Sequence, residues 1–410
     1  MKSRHGLAFV FVTSLLDSIG FGIIMPVLPQ LLMEVTGEGL SSAALHAGWL
    51  IAAYAAMQFL AAPLLGQLSD RFGRRPVLLL SLAVLAVNNA IMYLAPTFAW
   101  LLFGRVMAGA AASTFSTCNA YIADISAPEE RTQNFGLIGA AFGMGFIIGP
   151  VLGGFLGEYG PRAPFLAAGA FALANFLYGL FGLPESLPLD RRRPFKLRRA
   201  NPVGTLVALR RYPVVFGVIG AYVLFQLGHQ ALPTVWSYFA LERFDWSPLE
   251  IGYSLGVVGV LMVFVQTVLL RAALPKLGSR RAAVLGFLCL TISFLGYAFA
   301  TQGWMIYLFL VAGALQGFIG PAMQGIMSNQ VGETEQGELQ GGLASMSSLT
   351  AIVSPPFMMT LFSTFTGPTA PIYFAGAPWL AAALLTLLAL MVFLRATVSL
   401  EAGEARERPA

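Results

Sequence analysis

Apolar residues in this chain run in long blocks, separated by short polar or Pro/Gly-rich breaks such as 35–43 and 366–370. About 20 apolar residues cross a bilayer as a helix. By that measure the pattern predicts transmembrane helices near 6–32, 45–67, 76–95, 98–123, 134–157, 163–183, 212–236, 249–271, 282–300, 304–327, 341–365 and 371–394. The expected fold class is therefore an all-α membrane protein of twelve spans. The first block is too long for a cleaved leader, holds Asp17 and two prolines, and has no small-x-small cleavage site.

Composition agrees. Of the 410 residues, 57% are hydrophobic and 10% charged, against ~25% charged in a soluble domain. A water-soluble fold with this content would expose too much apolar surface. The charge is one-sided as well. With twelve spans, all but three of the 24 Lys and Arg residues fall on one face, the face of both termini. The positive-inside rule makes that face cytoplasmic. The exceptions are Arg162 and Arg243 opposite, and Arg105 inside a span. This distribution argues against nucleic acid as a partner. Cys118 and Cys289 lie in apolar runs and read as packing residues. No HExxH, CxxC or phosphate-cradling P-loop is present, so no metal or cofactor site is expected. No catalytic constellation supports an enzyme.

The polar stretch 184–211 divides the chain into an N-terminal six-helix bundle (1–183) and a C-terminal one (212–396), with a tail at 397–410 read as a solvated end. Its eight basic residues suit anchoring at the cytoplasmic surface, or more specifically an anionic-lipid site. An internal repeat supports the division. GQLSDRFGRRP at 66–76 has a faded copy, LPKLGSRR at 274–281, which sets Gly73 on Gly278 and Arg71 on Lys276 at an offset of 205 residues, and VMAG at 106–109 is echoed by LVAG at 310–313. Two six-helix halves form an architecture for alternating access.

Ionisable groups inside a membrane are costly and are functional suspects. Asp17 is the lone mid-span acid, Arg105 the lone mid-span Arg or Lys, and His229 the lone mid-span histidine. Asp17 could carry a proton across; its plainer role is a hydrogen bond that fixes packing. Arg105 stays charged and must meet a carboxylate, carbonyls or an anionic substrate group; an Asp17–Arg105 pair, direct or through water, is expected. His229, beside Gln226 and Gln230, titrates near neutral pH and is a further proton site or an interhelical bond. Gln58, Asn88, Asn119, Gln226, Gln266 and Gln324 offer uncharged donors and acceptors to a substrate, or else glue between helices. Gly145, Gly149, Pro150 and Gly153 form a small-residue surface for close helix approach. Asp70, Arg74, Asp124 and Arg131 cluster at cytoplasmic helix ends, where ion pairs would latch one state of a gate or simply signal topology.

GQLSDRFGRRP resembles the signature of the major facilitator superfamily between its second and third helices. GAAFGMGFIIGPVLGGFLG resembles the helix 5 motif of that superfamily's antiporters, and FGRVMAG its helix 4 motif around Arg105. DSIGFGIIMPVLP, YAAMQFLAAPLLG, PTVWSYFALERFDW and PAMQGIMS followed by EQGELQG are similar to the tetracycline efflux branch. The resemblance implies the two-bundle, twelve-helix fold and a monomer in the bacterial inner membrane. It implies proton-coupled export of a small drug-like molecule, with tetracycline, free or chelated to a divalent cation, as the substrate guess. It places Gln58, Gln266 and Gln324 on cavity helices and assigns the signature loop to gating. This chain carries Asn88, Met262 and Leu290 where those exporters carry an acid, a histidine and an acid. Coupling is left to Asp17, Arg105 and His229, or is absent, as in an uncoupled facilitator of another amphiphile. A non-transporting membrane sensor is the alternative from another class.

Overall fold

The computed structural model describes residues 2–112, 114–127, 129–192, 212–332 and 335–407; most of the basic linker, 193–211, lies outside them. The described chain is helical with no strand. Ten of its helices are long and apolar enough to cross a membrane; one of these, Pro248–Phe299, spans 52 residues and folds into two at Gly278, and the first helix is shorter. Twelve crossing helices result, as the apolar blocks predict.

In chain order they are α1 (Lys2–Gly22, resumed at Leu28–Thr36), α2 (Leu40–Phe72), α3 (Arg74–Leu94), α4 (Phe98–Ala110, resumed at Thr114–Ile125), α5 (Arg131–Gly157) and α6 (Ala163–Gly182). Then follow α7 (Pro213–His229, resumed at Ala231–Phe244), α8 (248–277), α9 (279–299), α10 (Gly303–Ala314, resumed at Ile319–Ser328), α11 (Gln336–Thr366) and α12 (Ala377–Glu407). α12 therefore continues as helix well past 394, through most of the expected tail.

The main departure from the sequence pattern is that several spans are broken. α1 opens into turns at 23–27, where Met25 and Val27 bond three residues back rather than four; Pro26 has no amide hydrogen to continue the ladder. α10 tightens to a 3-10 turn at Leu315–Phe318, α8 loosens to a π turn at Val265–Leu269, and α7 breaks at Gln230. Such irregular turns at membrane depth are kept where they line a cavity or pack against protein.

The chain packs as two units, Met1–Ala200 with Ala240–Gly259, and Asn201–Phe239 with Val260–Ala410. The stretch Ala240–Gly259 packs with the first unit. The first unit's core gathers Phe9 and Val10 of α1, Leu78 and Leu82 of α3, Tyr121 and Ile122 of α4, and Ile138 of α5. In the second unit Trp379 of α12 is fully buried, with the rings of Trp236, Phe239, Phe294 and Tyr297 all within 6 Å of it, centroid to centroid. Edge-on and tilted contacts of this kind add to burial alone.

The internal repeat survives as backbone geometry. Gly73 (φ 106°, ψ 164°) and Gly278 (φ 73°, ψ 159°) make the same bend between the second and third helices of each repeat. A side chain is disfavoured at such positive φ. The arginine two residues on is tied to the repeat's last helix in both cases: Arg75 Nη2 donates to the Leu180 carbonyl of α6 (2.7 Å), and Arg280 Nε to Thr397 Oγ1 of α12 (3.0 Å).

Candidate functional site

α4 loses its regular ladder at Ala111 and Ala112. The Ala111 amide is shared between the Met107 and Ala108 carbonyls, each at 3.2 Å, and the Ala112 amide reaches back only to Gly109 (3.1 Å). The break faces a cavity of about 80 Å³ walled by Asp17 of α1, Tyr54 and Gln58 of α2, Ser81 of α3, and Thr114 and Phe115 of α4. Tyr54 and Gln58 stand one turn apart on one face of α2. They reach the break because α4 lies almost against the α2 backbone: a Cβ at Gly109 would strike the Tyr54 carbonyl oxygen and sit 2.9 Å from Met57 Cβ.

Arg105 lies one turn before Gly109. Tyr54 is within electrostatic reach of both Asp17 and Arg105. Neither of those two charged groups has an ion-pair partner among the described residues. The expected direct Asp17–Arg105 pair is therefore not formed; the tyrosine shares the electrostatic neighbourhood of both.

A second cavity, of about 350 Å³, lies in the second unit, walled by Tyr222 of α7, Gly320, Pro321, Gln324 and Met327 of α10, and Gln340, Leu343, Ala344 and Ser347 of α11. Gln324 Nε2 donates to Gln340 Oε1 (3.0 Å), and the Tyr222 and Ser347 hydroxyls bond to each other (2.7 Å). Gln226, one turn along α7, reaches Ser347 Oγ at 3.5 Å.

Of the candidate substrate residues, Gln58 lines the first cavity, Gln324 the second, and Gln226 stands beside the second. The other three line neither. Asn88 is 1% exposed and packs against Gly104, its Oδ1 3.0 Å from where a Cβ there would sit and without a hydrogen-bond partner. Asn119 turns back to its own helix, donating to the Phe115 carbonyl (3.0 Å). Gln266 is exposed on the π turn of α8. His229 belongs to the second unit, its ring 5.4 Å from that of Phe225, whereas Asp17 and Arg105 belong to the first. Among the described residues no group of three or more His, Cys, Asp and Glu is placed to hold a metal.

Three of the four gate candidates come together at the Lys/Arg-rich end of the first unit. Arg74 Nη1 binds Asp70 Oδ1 (2.6 Å) and Ser69 Oγ (3.1 Å), while its Nε binds Asp124 Oδ2 (3.0 Å). Arg131 does not join them; its side chain is exposed at the start of α5. Two partners went unnoticed in the sequence. Ser186 Oγ donates to Asp124 Oδ2 (3.1 Å). Glu185 accepts the Arg74 and Arg75 amides at 2.8 and 3.3 Å, a carboxylate on the open amides of the α3 N-terminus.

The glycine-rich α5 is a packing surface on two sides. A Cβ at Gly145 would lie 2.8 Å from the Leu15 carbonyl oxygen, one at Gly149 2.8 Å from that of Ile19, and one at Gly153 would overlap Ile23; a Cβ at Gly22 would in turn meet the Pro150 ring. On its other side α5 meets the first turns of α8, where a Cβ at Gly252 would lie 2.5 Å from the Pro150 carbonyl oxygen and Cβ atoms at Gly256 and Gly259 would meet Val151 and Ile147.

A family model described as "Major Facilitator Superfamily" matches residues 10–339 and 273–410. The chain is 41% identical over 364 residues to the class C tetracycline resistance protein of Escherichia coli, covering 88% of this chain and 91% of that one. Among solved structures, the human organic anion transporter MFSD10 is 25% identical with a TM-score of 0.69, over 96% of this chain and all of that one. The nucleoside transporter NupG is 12% identical with a TM-score of 0.78, over 96% and 99%, a likeness of fold.

Proposed function

The chain belongs to the Major Facilitator Superfamily, and from that premise we propose that this membrane transporter exports a small drug-like molecule, tetracycline being the first substrate to test, in exchange for protons by alternating access. One observation carries the reading: the single mid-span carboxylate, Asp17, opens on a cavity at the break in α4, with Tyr54 and Gln58 beside it. An acid in that position can hold a proton on one side of the membrane and release it on the other. Arg105 keeps its charge throughout, so protonation of Asp17 changes the net charge of this part of the first unit by one. His229 is the second candidate for the coupling path. The Arg74–Asp70–Asp124 cluster serves as the latch of one state. Sequence identity to a tetracycline resistance protein over most of both chains supports the substrate.

In this reading both termini lie in the cytoplasm of a bacterial cell, the protein sits in the inner membrane, and it works as a monomer without a resident cofactor. The proton is the coupling ion, and the drug travels free or with a divalent cation. The scarcity of mid-span acids supports one rival, an uncoupled facilitator.

Everted membrane vesicles separate the two. Tetracycline accumulation driven by an imposed pH gradient should be clear for the wild type and absent for Asp17→Asn. Accumulation by the wild type that ignores the gradient would establish the facilitator; equal gradient-driven accumulation by both proteins would remove Asp17 from the coupling path.

A further inference from the structure

α8 changes company along its length. Its first turns, through Gly259, pack with the first unit, and from Val260 onward it belongs to the second. There Leu261, Val265 and Leu269 join a core with Ala282, Ala314 and Phe318. The start of α8 lies on α5 at the end of the first unit opposite the Arg74 cluster. Gly252, Gly256 and Gly259 recur at helical spacing on one face, and a Cβ at any of them would run into Pro150, Val151 or Ile147 of α5. In return, a Cβ at Gly154 would overlap the Pro248 carbonyl oxygen. Faces of this kind approach closely, but they carry no long side chains to interlock.

A polar contact supplies the hold that the glycines lack. The Leu249 amide donates to Glu158 Oε1 at 3.2 Å. Otherwise α8 caps its own start. The Ser247 amide donates to Glu250 Oε2 (2.8 Å) and the Glu250 amide to Ser247 Oγ (3.3 Å), a capping box, and Pro248 has no amide hydrogen to satisfy. Among these first amides only that of Leu249 is served from another helix. Glu158 is ill placed in its own helix. It is the C-cap of α5, where the macrodipole disfavours an acid, whereas the start of α8 favours one. The carboxylate is destabilised by the helix that carries it and stabilised by the neighbour, so its free energy depends on α5 and α8 being together.

We propose that Glu158 is a positioning residue for transport, a latch that holds the start of α8 on α5, closes this end of the first unit, and lets go when the cycle opens it. This rests on the alternating-access part of the exporter reading. The Arg74 cluster and Glu158 then stand at opposite ends of the first unit, one latch for each state. Glu158 is exposed, so the hold is modest, as a reversible step requires. Losing a cap, or a charge at a helix N-terminus, shifts an equilibrium about two- to fivefold.

The test is the labelling rate of Val151→Cys, a position covered by α8 at Gly256, with a membrane-impermeant maleimide added to intact cells. The orientation proposed above sets this end outside. Labelling of the chain that keeps Val151 is subtracted to remove the contribution of Cys118 and Cys289, and Ile147→Cys, which faces Gly259, is a second reporter. Glu158→Ala should raise the rate about two- to fivefold. Glu158→Gln, which keeps an acceptor oxygen and loses the charge, should fall between that variant and the wild type. Glu250→Ala breaks the capping box of α8 and leaves the contact with α5 in place, so the rate should stay at the wild-type value. Unchanged labelling in Glu158→Ala overturns the latch, and so does an equal rise in Glu250→Ala, which would reduce Glu158 to a helix cap. Neither drug nor proton gradient enters this assay, so its failure leaves the exporter reading standing, and failure of the vesicle experiment bears on substrate and coupling alone.

Discussion

Alanine at Gly149 and alanine at Gly139 should move the stability of this protein in opposite directions, although both lie in α5. At Gly149 the new Cβ would sit 2.8 Å from the Ile19 carbonyl oxygen and 3.0 Å from Gly22 Cα. Carbon atoms in good contact stand ~3.5–4.0 Å apart, so α1 must retreat by about half an ångström over a full turn. Both obstacles are main chain, which cannot swing aside as a long side chain can. Overpacking of this kind costs about 1–3 kcal/mol. At Gly139 a Cβ meets nothing within 4 Å, and removing a glycine from a helix interior gains about 0.5–1 kcal/mol. The two variants should therefore be separated by roughly 1.5–4 kcal/mol. Heat inactivation of detergent-solubilised protein is a rate measurement for a membrane protein of this size, and the ranking is the readout: Gly139→Ala at or above wild type, Gly149→Ala well below it. If Gly149→Ala withstands heat as well as Gly139→Ala, α1 and α5 do not meet at main-chain distance and the packing described for α5 is wrong.

Two further outcomes follow from the first unit. Arg162 donates to the Tyr93 and Ala95 carbonyls (2.5 and 2.9 Å) and to Glu34 (2.8 Å), closing the C-terminal end of α3. Arg162→Ala should destabilise by about 2 kcal/mol, whereas Glu34→Ala, which removes only a half-exposed ion pair, should cost about 0–1 kcal/mol; hydrogen exchange at residues 92–97 should rise in the first variant alone. Glu185→Ala leaves two α3 amides open and should cost about 1 kcal/mol, as loss of an N-terminal cap does, with faster proteolysis between α6 and α7; an unchanged cleavage rate would show that Glu185 does not hold the start of that connection.

The span pattern was legible because lipid demands long apolar blocks and leaves few alternatives. The repeat was legible at Gly73 and Gly278, since a residue forced to positive φ is hard to replace; the cluster of Asp70, Arg74 and Asp124 was legible because charges at helix ends announce themselves. The breaks in α4 and α10 were not. Ala111 and Leu315 are ordinary helix residues whose own side chains mark no interruption. The same holds for the second cavity. Tyr222, Gln340 and Ser347 are unremarkable singly; they become a wall only once α7, α10 and α11 lie side by side. Of the two readings the sequence offered for Asn88, substrate contact or interhelical packing, the structure shows the side chain buried where a glycine on α4 lets that helix close over it. Arg131 sits near the gate charges in sequence but stays out of their cluster, exposed at the first turn of a new helix.

The breaks in α4 and α10 fall at matching places of the two repeats, about 205 residues apart, at Ala111–Ala112 and Leu315–Phe318. A rod already scored at one level bends there before it bends anywhere else. Compliance is thus concentrated near the middle of each of these helices, where the regular ladder is interrupted. Their outer halves, with hydrogen bonds intact, act as stiff levers, so a small shift beside the score is magnified at the membrane surfaces.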